Sequence, residues 1–264
     1  MRAIELGLTC NNACIFCAQG DLSVLRPGQS EVRLDDVARD EVVAFVGGEP
    51  TLDERLPALV KAADARGVRR IIVQTNGRRF AYRAYARALR EGSDKLVLDV
   101  SLHGSTTAMH DYHTRTVGSF QQTAVGIRNA GAEGIDVGVT TVVTRSNYRH
   151  LVDVVHLARG LGARAVKFVF AERFGRAEQA ADRIVAPIEL VEPHLTRAVR
   201  EAARCGLGWV AGDRSSDSVV RERFAGLGEV QQSAANRARA EAARGPRLRL
   251  PVVAQFQTVE QGAV

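Results

Sequence analysis

Lysine is nearly absent from this chain: Lys61, Lys95 and Lys167 are the only three among 264 residues, so the formal charge of +6 rests on arginine. Aromatic residues are scarce too, at 5%. No basic run is interleaved with them as base-stacking platforms require, which argues against a nucleic-acid partner and reads the arginines as a solvated surface. The rival reading, an Arg-rich RNA-binding protein, requires tight and salt-sensitive RNA affinity. No stretch approaches eighteen consecutive apolar residues, so no membrane partner is expected. A cysteine as early as position 10, behind one predicted strand, leaves no room for a signal peptide, and a cytoplasmic location is expected. Cysteine itself is rare, at Cys10, Cys14, Cys17 and Cys205. In a reducing compartment such thiols favour metal ligation or free thiols over a disulfide framework, and three of them cluster within eight residues.

What is present is a rhythm of short β-branched runs and longer amphipathic stretches, the pattern of repeated strand–helix units. Strands are expected at Ala3–Leu8, Val42–Val46, Arg70–Gln74, Lys95–Leu102, Ile135–Val143 and Ala165–Ala171. Helices are expected near Glu54–Arg66, Phe80–Arg90, Phe120–Ala132 and Tyr148–Leu161, several closed by glycine. Six such units give an α/β fold, a partial (β/α)6 TIM-like barrel with a small C-terminal helical extension. No clear seventh or eighth strand is visible. A further helix is expected from about Pro187 to Arg204, where Ile188, Val191, Leu195 and Val199 recur at helical spacing. The expected division is a barrel domain over 1–212 and an Arg-rich extension over 213–264, with a helix near Val230–Arg244 and an apolar run at Leu248–Phe256.

Cys10, Cys14 and Cys17 form a C-x3-C-x2-C spacing directly after the first strand. Three thiolates on one tight loop can each hold one iron of a cubane cluster and leave the fourth iron without a protein ligand. Zinc normally requires a fourth Cys or His to close its tetrahedron. None lies nearby in sequence, although a distant residue such as His103 keeps that alternative open.

This spacing, with Phe16 just before the last cysteine, resembles the signature of the radical S-adenosylmethionine (radical SAM) superfamily. The resemblance implies a 4Fe-4S cluster whose open iron binds S-adenosyl-L-methionine, and a one-electron cleavage yielding a 5′-deoxyadenosyl radical that abstracts hydrogen from substrate. Gly47-Gly48-Glu49-Pro50, at the end of the second strand, resembles the family's GGEP motif, which holds the methionine amine. By residue chemistry alone, the glycines permit close backbone approach and the Glu49 carboxylate can accept from an ammonium, or the run is a Gly-Pro turn with a surface glutamate. Val73–Gly77 resembles the family's third-strand segment and Asp99–Gly104 its fourth, which implies cofactor contacts for Thr75 and Ser101. Arg145 and Glu172 follow the fifth and sixth strands, where the family often contacts carboxylate, adenine or substrate; as plain residues they read equally well as solvated loop charges.

The resemblance spans about Met1 to Gly175 and is nearest in look to molybdenum-cofactor cyclisation enzymes and peptide-modifying maturases. It departs from them twice. Only Leu34–Asp40 is available for the first helix, which is therefore shortened or replaced by a loop. Cys205 is the sole cysteine after the barrel, and one thiol cannot hold an auxiliary cubane, so it reads as a buried structural thiol. His103, following Ser101, either faces the pocket or satisfies a backbone group, and the other histidines read as surface or strand-end residues. The expected substrate is a peptide or small metabolite, and the expected reductant an acidic flavodoxin or ferredoxin drawn to the basic surface. A glycyl-radical activating enzyme and a non-catalytic iron–sulfur sensor are the competing readings.

Overall fold

The structure, a computed structural model, describes residues 1–20 and 29–211. Among the described residues seven strands form one sheet in sequence order: β1 (Arg2–Glu5), β2 (Val42–Val46), β3 (Arg70–Thr75), β4 (Leu96–Ser101), β5 (Asp136–Val143), β6 (Ala165–Phe170) and β7 (Gly208–Ala211). Every neighbouring pair is parallel. Among the described residues β1 and β7 do not pair, so the barrel stays open. The strands are dense in Val, Ile and Phe because a parallel sheet is covered on both faces.

Helices α1 (Leu56–Ala65), α2 (Arg83–Gly92), α3 (Thr107–Thr114), α4 (Ser119–Ala132), α5 (Leu151–Gly160), α6 (Ala181–Ile184) and α7 (Ile188–Arg204) lie among the connections. The outer strand face, including Ile4, Val43, Phe45, Ile71, Val73, Leu98, Val139, Val166 and Phe168, forms one core with Leu56 and Val60 of α1, Leu89 of α2, Ile127 of α4, Leu151 and Val155 of α5 and Leu195 of α7. The inner face begins apolar, with Ala44, Val46 and Ile72. It turns polar further round, where the Asp99 carboxylate accepts from Thr140 Oγ1 and, at 3.5 Å, from Gln74 Nε2. Burial raises the pKa of Asp99, and the positive charge of buried Lys167 opposes that rise.

Three departures from expectation have physical causes. A seventh strand exists, too short at four residues to stand out, yet in register with β6 from Ala165↔Gly208 to Phe168↔Ala211. The stretch between Gly104 and Gly118, outside every expected helix, holds α3, capped by Thr106 Oγ1 accepting from Met109 N–H at 3.3 Å. Cys205 caps the C-terminus of α7 and is only half-buried. Leu34–Asp40 forms turns and no helix, as expected. The extension beyond residue 212, including Val230–Arg244 and Leu248–Phe256, lies outside the described residues, and among those described no helix is long and apolar enough to cross a membrane.

Candidate active site

All the strands run the same way, so the loops after β1, β2, β3, β4, β5 and β6 gather at one mouth of the barrel. The exit of β1 stays paired to that of β2 beyond the strands: Gly48 N–H donates to Gly7 O and Glu49 N–H to Thr9 O, both at 2.8 Å. A Cβ on Gly48 would lie 2.2 Å from Thr9 O, and one on Gly47 2.2 Å from Gly7 O. Only glycines let the two chains approach so closely, and Thr9 leads directly into Cys10.

The cysteine loop is held from three sides. From α3, Thr114 O accepts from Ala13 N–H and His113 O from Ile15 N–H, each at 2.9 Å. From the β3 exit, Asn76 Nδ2 donates to Asn11 Oδ1 at 2.6 Å and Arg78 Nη1 to Asn12 Oδ1 at 2.8 Å. From the β6 exit, Arg176 N–H donates to Cys17 O at 3.1 Å, where Gly175 (φ +59) packs so closely that a Cβ would meet Cys17 O at 2.3 Å. Burial pushes the Cys10 thiol up to about 11 and Cys14 well above its ordinary value, and the mutual repulsion of the three thiolates adds to the rise at Cys14. Cys10 and Cys14 resist ionising on a fixed backbone, and with Cys17 they make a donor set that a cationic cluster stabilises, each ligand exchanging its proton for metal.

Glu49 is not the surface glutamate of a plain Gly-Pro turn. It is buried, with Oε1 accepting from Thr51 N–H (3.1 Å), Thr51 Oγ1 (2.6 Å) and Thr75 Oγ1 (2.6 Å), and Oε2 from Asn76 N–H (2.6 Å). Its work is to tie the β2 exit to the β3 exit. Thr75 is likewise committed, its hydroxyl accepting in turn from Gly77 N–H at 3.0 Å. Ser101 ends β4, two residues beyond Asp99 on the inward face. Phe16 and Glu172 line a recess with Val142, Val169, Phe170 and Phe174. Arg145 lies at the rim with its Nε donating to Val185 O at 3.1 Å.

His103 is buried, edge-on to Phe16 with ring centroids 4.7 Å apart. Its Nδ1 accepts from Val142 N–H at 3.3 Å, so it satisfies a backbone group while lying beside the mouth. Burial lowers its pKa far below the ordinary value, with His110 and His113 adding to the effect. His110 and His113 are buried rather than on the surface. The His113 ring spans Met109 O (2.6 Å) and the hydroxyls of Thr144 and Ser146 (both 2.8 Å), joining α3 to the β5 exit. Asn76, Arg78, His113, Thr114 and Gly175 thus escaped the sequence reading. The N-cap at Thr106, ahead of a His-rich segment, was the available signal.

The profile of the radical SAM superfamily matches residues 4–158, from β1 into α5 and across the whole cysteine loop. The chain belongs to this superfamily. Its members are enzymes that use a 4Fe-4S cluster and S-adenosylmethionine, and so does this radical SAM chain. It is 24% identical over 255 residues to the AdoMet-dependent heme synthase of Oleidesulfovibrio alaskensis, covering 86% of this chain and 65% of that protein. It is 34% identical over 166 residues to the mycofactocin maturase MftC of Mycobacterium ulcerans, covering 60% of this chain and 44% of the maturase. Among solved structures, native anSMEcpe with bound AdoMet superposes with a TM-score of 0.62 at 19% identity, covering 85% of this chain and 66% of that one. Streptococcus suis SuiB bound to precursor peptide SuiA gives 0.62 at 12% identity, covering 83% and 50%. The fold is therefore the partial barrel of radical SAM enzymes. The chain spans about half to two thirds of the length of these relatives.

Proposed function

We propose that this radical SAM chain abstracts hydrogen from a peptide or small-metabolite substrate, with Cys10, Cys14 and Cys17 as its cluster ligands. The observation that carries the assignment is the cysteine loop, fixed on three sides at the barrel mouth and zipped to Gly47–Gly48. When bound, the cluster supplies one electron that cleaves S-adenosylmethionine to a 5′-deoxyadenosyl radical. The residues of the chain hold and shield. Gly47, Gly48 and Glu49 receive the methionine amine, the Glu49 carboxylate through Oε2, which accepts from Asn76 N–H and keeps a second lone pair. Phe16 and Glu172 border the cofactor in their shared recess, and Ser101 contacts it from the end of β4. Thr75 acts through Glu49, and Arg145 guards the rim. The inner polar face of Gln74, Asp99, Thr140 and Lys167 suits a polar substrate in a cavity that keeps water from a carbon radical.

A peptide substrate is favoured by the names of relatives: a mycofactocin maturase, the subtilosin biosynthesis protein AlbA of Bacillus subtilis, and SuiB bound to its precursor peptide. The reductant is an acidic flavodoxin or ferredoxin attracted by the net positive charge, so reduction rates fall as salt rises. The test is anoxic reconstitution followed by dithionite and S-adenosylmethionine. The enzyme forms 5′-deoxyadenosine, whereas a non-catalytic sensor forms none. Transfer of a stable radical to a partner protein's glycine would instead mark an activating enzyme.

A further inference from the structure

Outside the barrel mouth, three side chains of different chemistry converge at the seam between α5 and α7. His156 Nε2 lies 3.2 Å from Glu201 Oε1, and Cys205 Sγ lies 3.5 Å from the same oxygen. The three donor atoms all fall within 4.8 Å of one another. Glu201 and Cys205 are four residues apart, one above the other on the same face of α7, while His156 reaches across from α5. Tetrahedral zinc with its usual bond lengths separates a nitrogen and an oxygen ligand by about 3.3 Å, and a sulfur and an oxygen by about 3.6 Å. The observed 3.2 and 3.5 Å match those two separations, and the His156 nitrogen and Cys205 sulfur, within 4.8 Å of each other, close onto the ion by side-chain rotation.

We infer that His156, Glu201 and Cys205 form a divalent-metal site of the zinc class, separate from the cluster, that clamps the last strand–helix unit of the barrel to α5. The imidazole, carboxylate and thiolate are borderline-to-soft donors that favour zinc over magnesium or calcium. The two anionic ligands neutralise a dication, and water fills the fourth position. An orienting shell is already present. Arg204 Nε donates to Glu201 Oε2 at 2.8 Å, leaving that hold intact while Oε1 turns to the metal, and Arg159 donates to the carbonyl of Cys205. Arg204 Nη2 donates to Oε1 in the same planar fork, so it stays in place with the Nε bond and the metal takes the remaining lone pair of Oε1. Cys205 follows the last residue of α7 and leads within three residues to β7, the edge strand among the described residues, so a metal here staples that edge at the end of the barrel opposite the cysteine loop. This end of a barrel serves stability rather than chemistry.

The test uses the full chain, reconstituted with its cluster under anoxic conditions so that Cys10, Cys14 and Cys17 are occupied, then incubated with zinc and desalted. The wild type retains one zinc per chain beyond its iron, and zinc raises its melting temperature. His156→Ala, at an exposed position that leaves packing intact, weakens zinc binding more than about tenfold, because loss of an outer-shell partner alone costs 10- to 100-fold. Cys205→Ser abolishes the thiolate-to-metal charge-transfer absorption seen when cobalt replaces zinc. Cluster iron content stays unchanged in both variants, which separates a failure here from a failure of the cluster assignment. Retention of no zinc beyond the iron, or equal retention and an equal thermal shift in His156→Ala, overturns the site.

Discussion

Gly48→Ala isolates the contact on which the mouth depends. Its backbone is not in the left-handed region, so the substitution adds no torsional strain and acts through space alone. The new methyl would lie 2.2 Å from Thr9 O and 2.4 Å from Leu8 O, both backbone atoms that no rotamer change can move aside. Reaching ordinary contact requires the β1 and β2 exits to part by about 1 Å, enough to break the 2.8 Å hydrogen bonds Gly48 N–H to Gly7 O and Glu49 N–H to Thr9 O. Two backbone hydrogen bonds at about 1 kcal/mol each, plus about 1–3 kcal/mol of overpacking, give a loss of about 3–5 kcal/mol. For a domain of this size that is a fall in Tm of about 6–20 °C. Gly131→Ala is the matched control. It lies in α4 with nothing within 4 Å of its added methyl, and stabilises by about 0.5–1 kcal/mol through helix propensity. Thermal melts, with iron counted after anoxic reconstitution, read both: Gly48→Ala melts lower and loads less iron, and Gly131→Ala does neither. A Gly48→Ala protein melting within 2 °C of wild type with full iron would refute the close-approach argument.

Asp111 of α3 caps α4 from outside, its carboxylate accepting from Gly118 N–H (2.7 Å), Ser119 Oγ (2.8 Å) and Phe120 N–H (2.8 Å). Burial works against its ionisation, but these donors outweigh burial and its pKa is lowered. Its contribution is therefore fully present above the unfolded value of about 3.9 and lost as pH falls through the lower folded value. Asp111→Asn costs about 1–2 kcal/mol at neutral pH in denaturant titration, and the gap to wild type narrows below about pH 4; a constant gap would contradict the assignment. His113→Ala removes the ring that spans Met109, Thr144 and Ser146, and should raise amide exchange at Ala13, Ile15 and Thr144 while the distant α2 stays protected. Unchanged exchange at the cysteine loop would show that α3 does not organise it. Arg78→Ala, which frees Asn12, should lower cluster retention on desalting more than Arg87→Ala, whose partner is Glu133 at the end of α4.

The strand order was legible because each strand of a doubly covered parallel sheet is a compact apolar run: Val42–Val46 coincides with its expected bounds, and Ala165–Phe170 ends one residue short. α3 was not legible, since its sequence TAMHDYHT buries His110, His113 and Thr114 by hydrogen bonding, and apolar periodicity is silent about polar burial. The cysteine spacing and the glycine pair announced themselves in sequence, because both are local. The commitment of Glu49 to Thr51, Thr75 and Asn76 could not, since two of those partners come from another strand's exit. The triad of His156, Glu201 and Cys205 was invisible for the same reason: its members lie on two helices, and their convergence is a property of how α5 packs on α7.

The central claim is that three sulfurs leave one iron for the sulfonium cofactor. Low-temperature electron paramagnetic resonance of the dithionite-reduced, cluster-loaded chain, recorded without and with S-adenosylmethionine, addresses it most directly. The account predicts a cubane signal that shifts when the cofactor is added and that Cys14→Ala fails to develop. Zinc in place of iron, or a signal indifferent to S-adenosylmethionine, would contradict it.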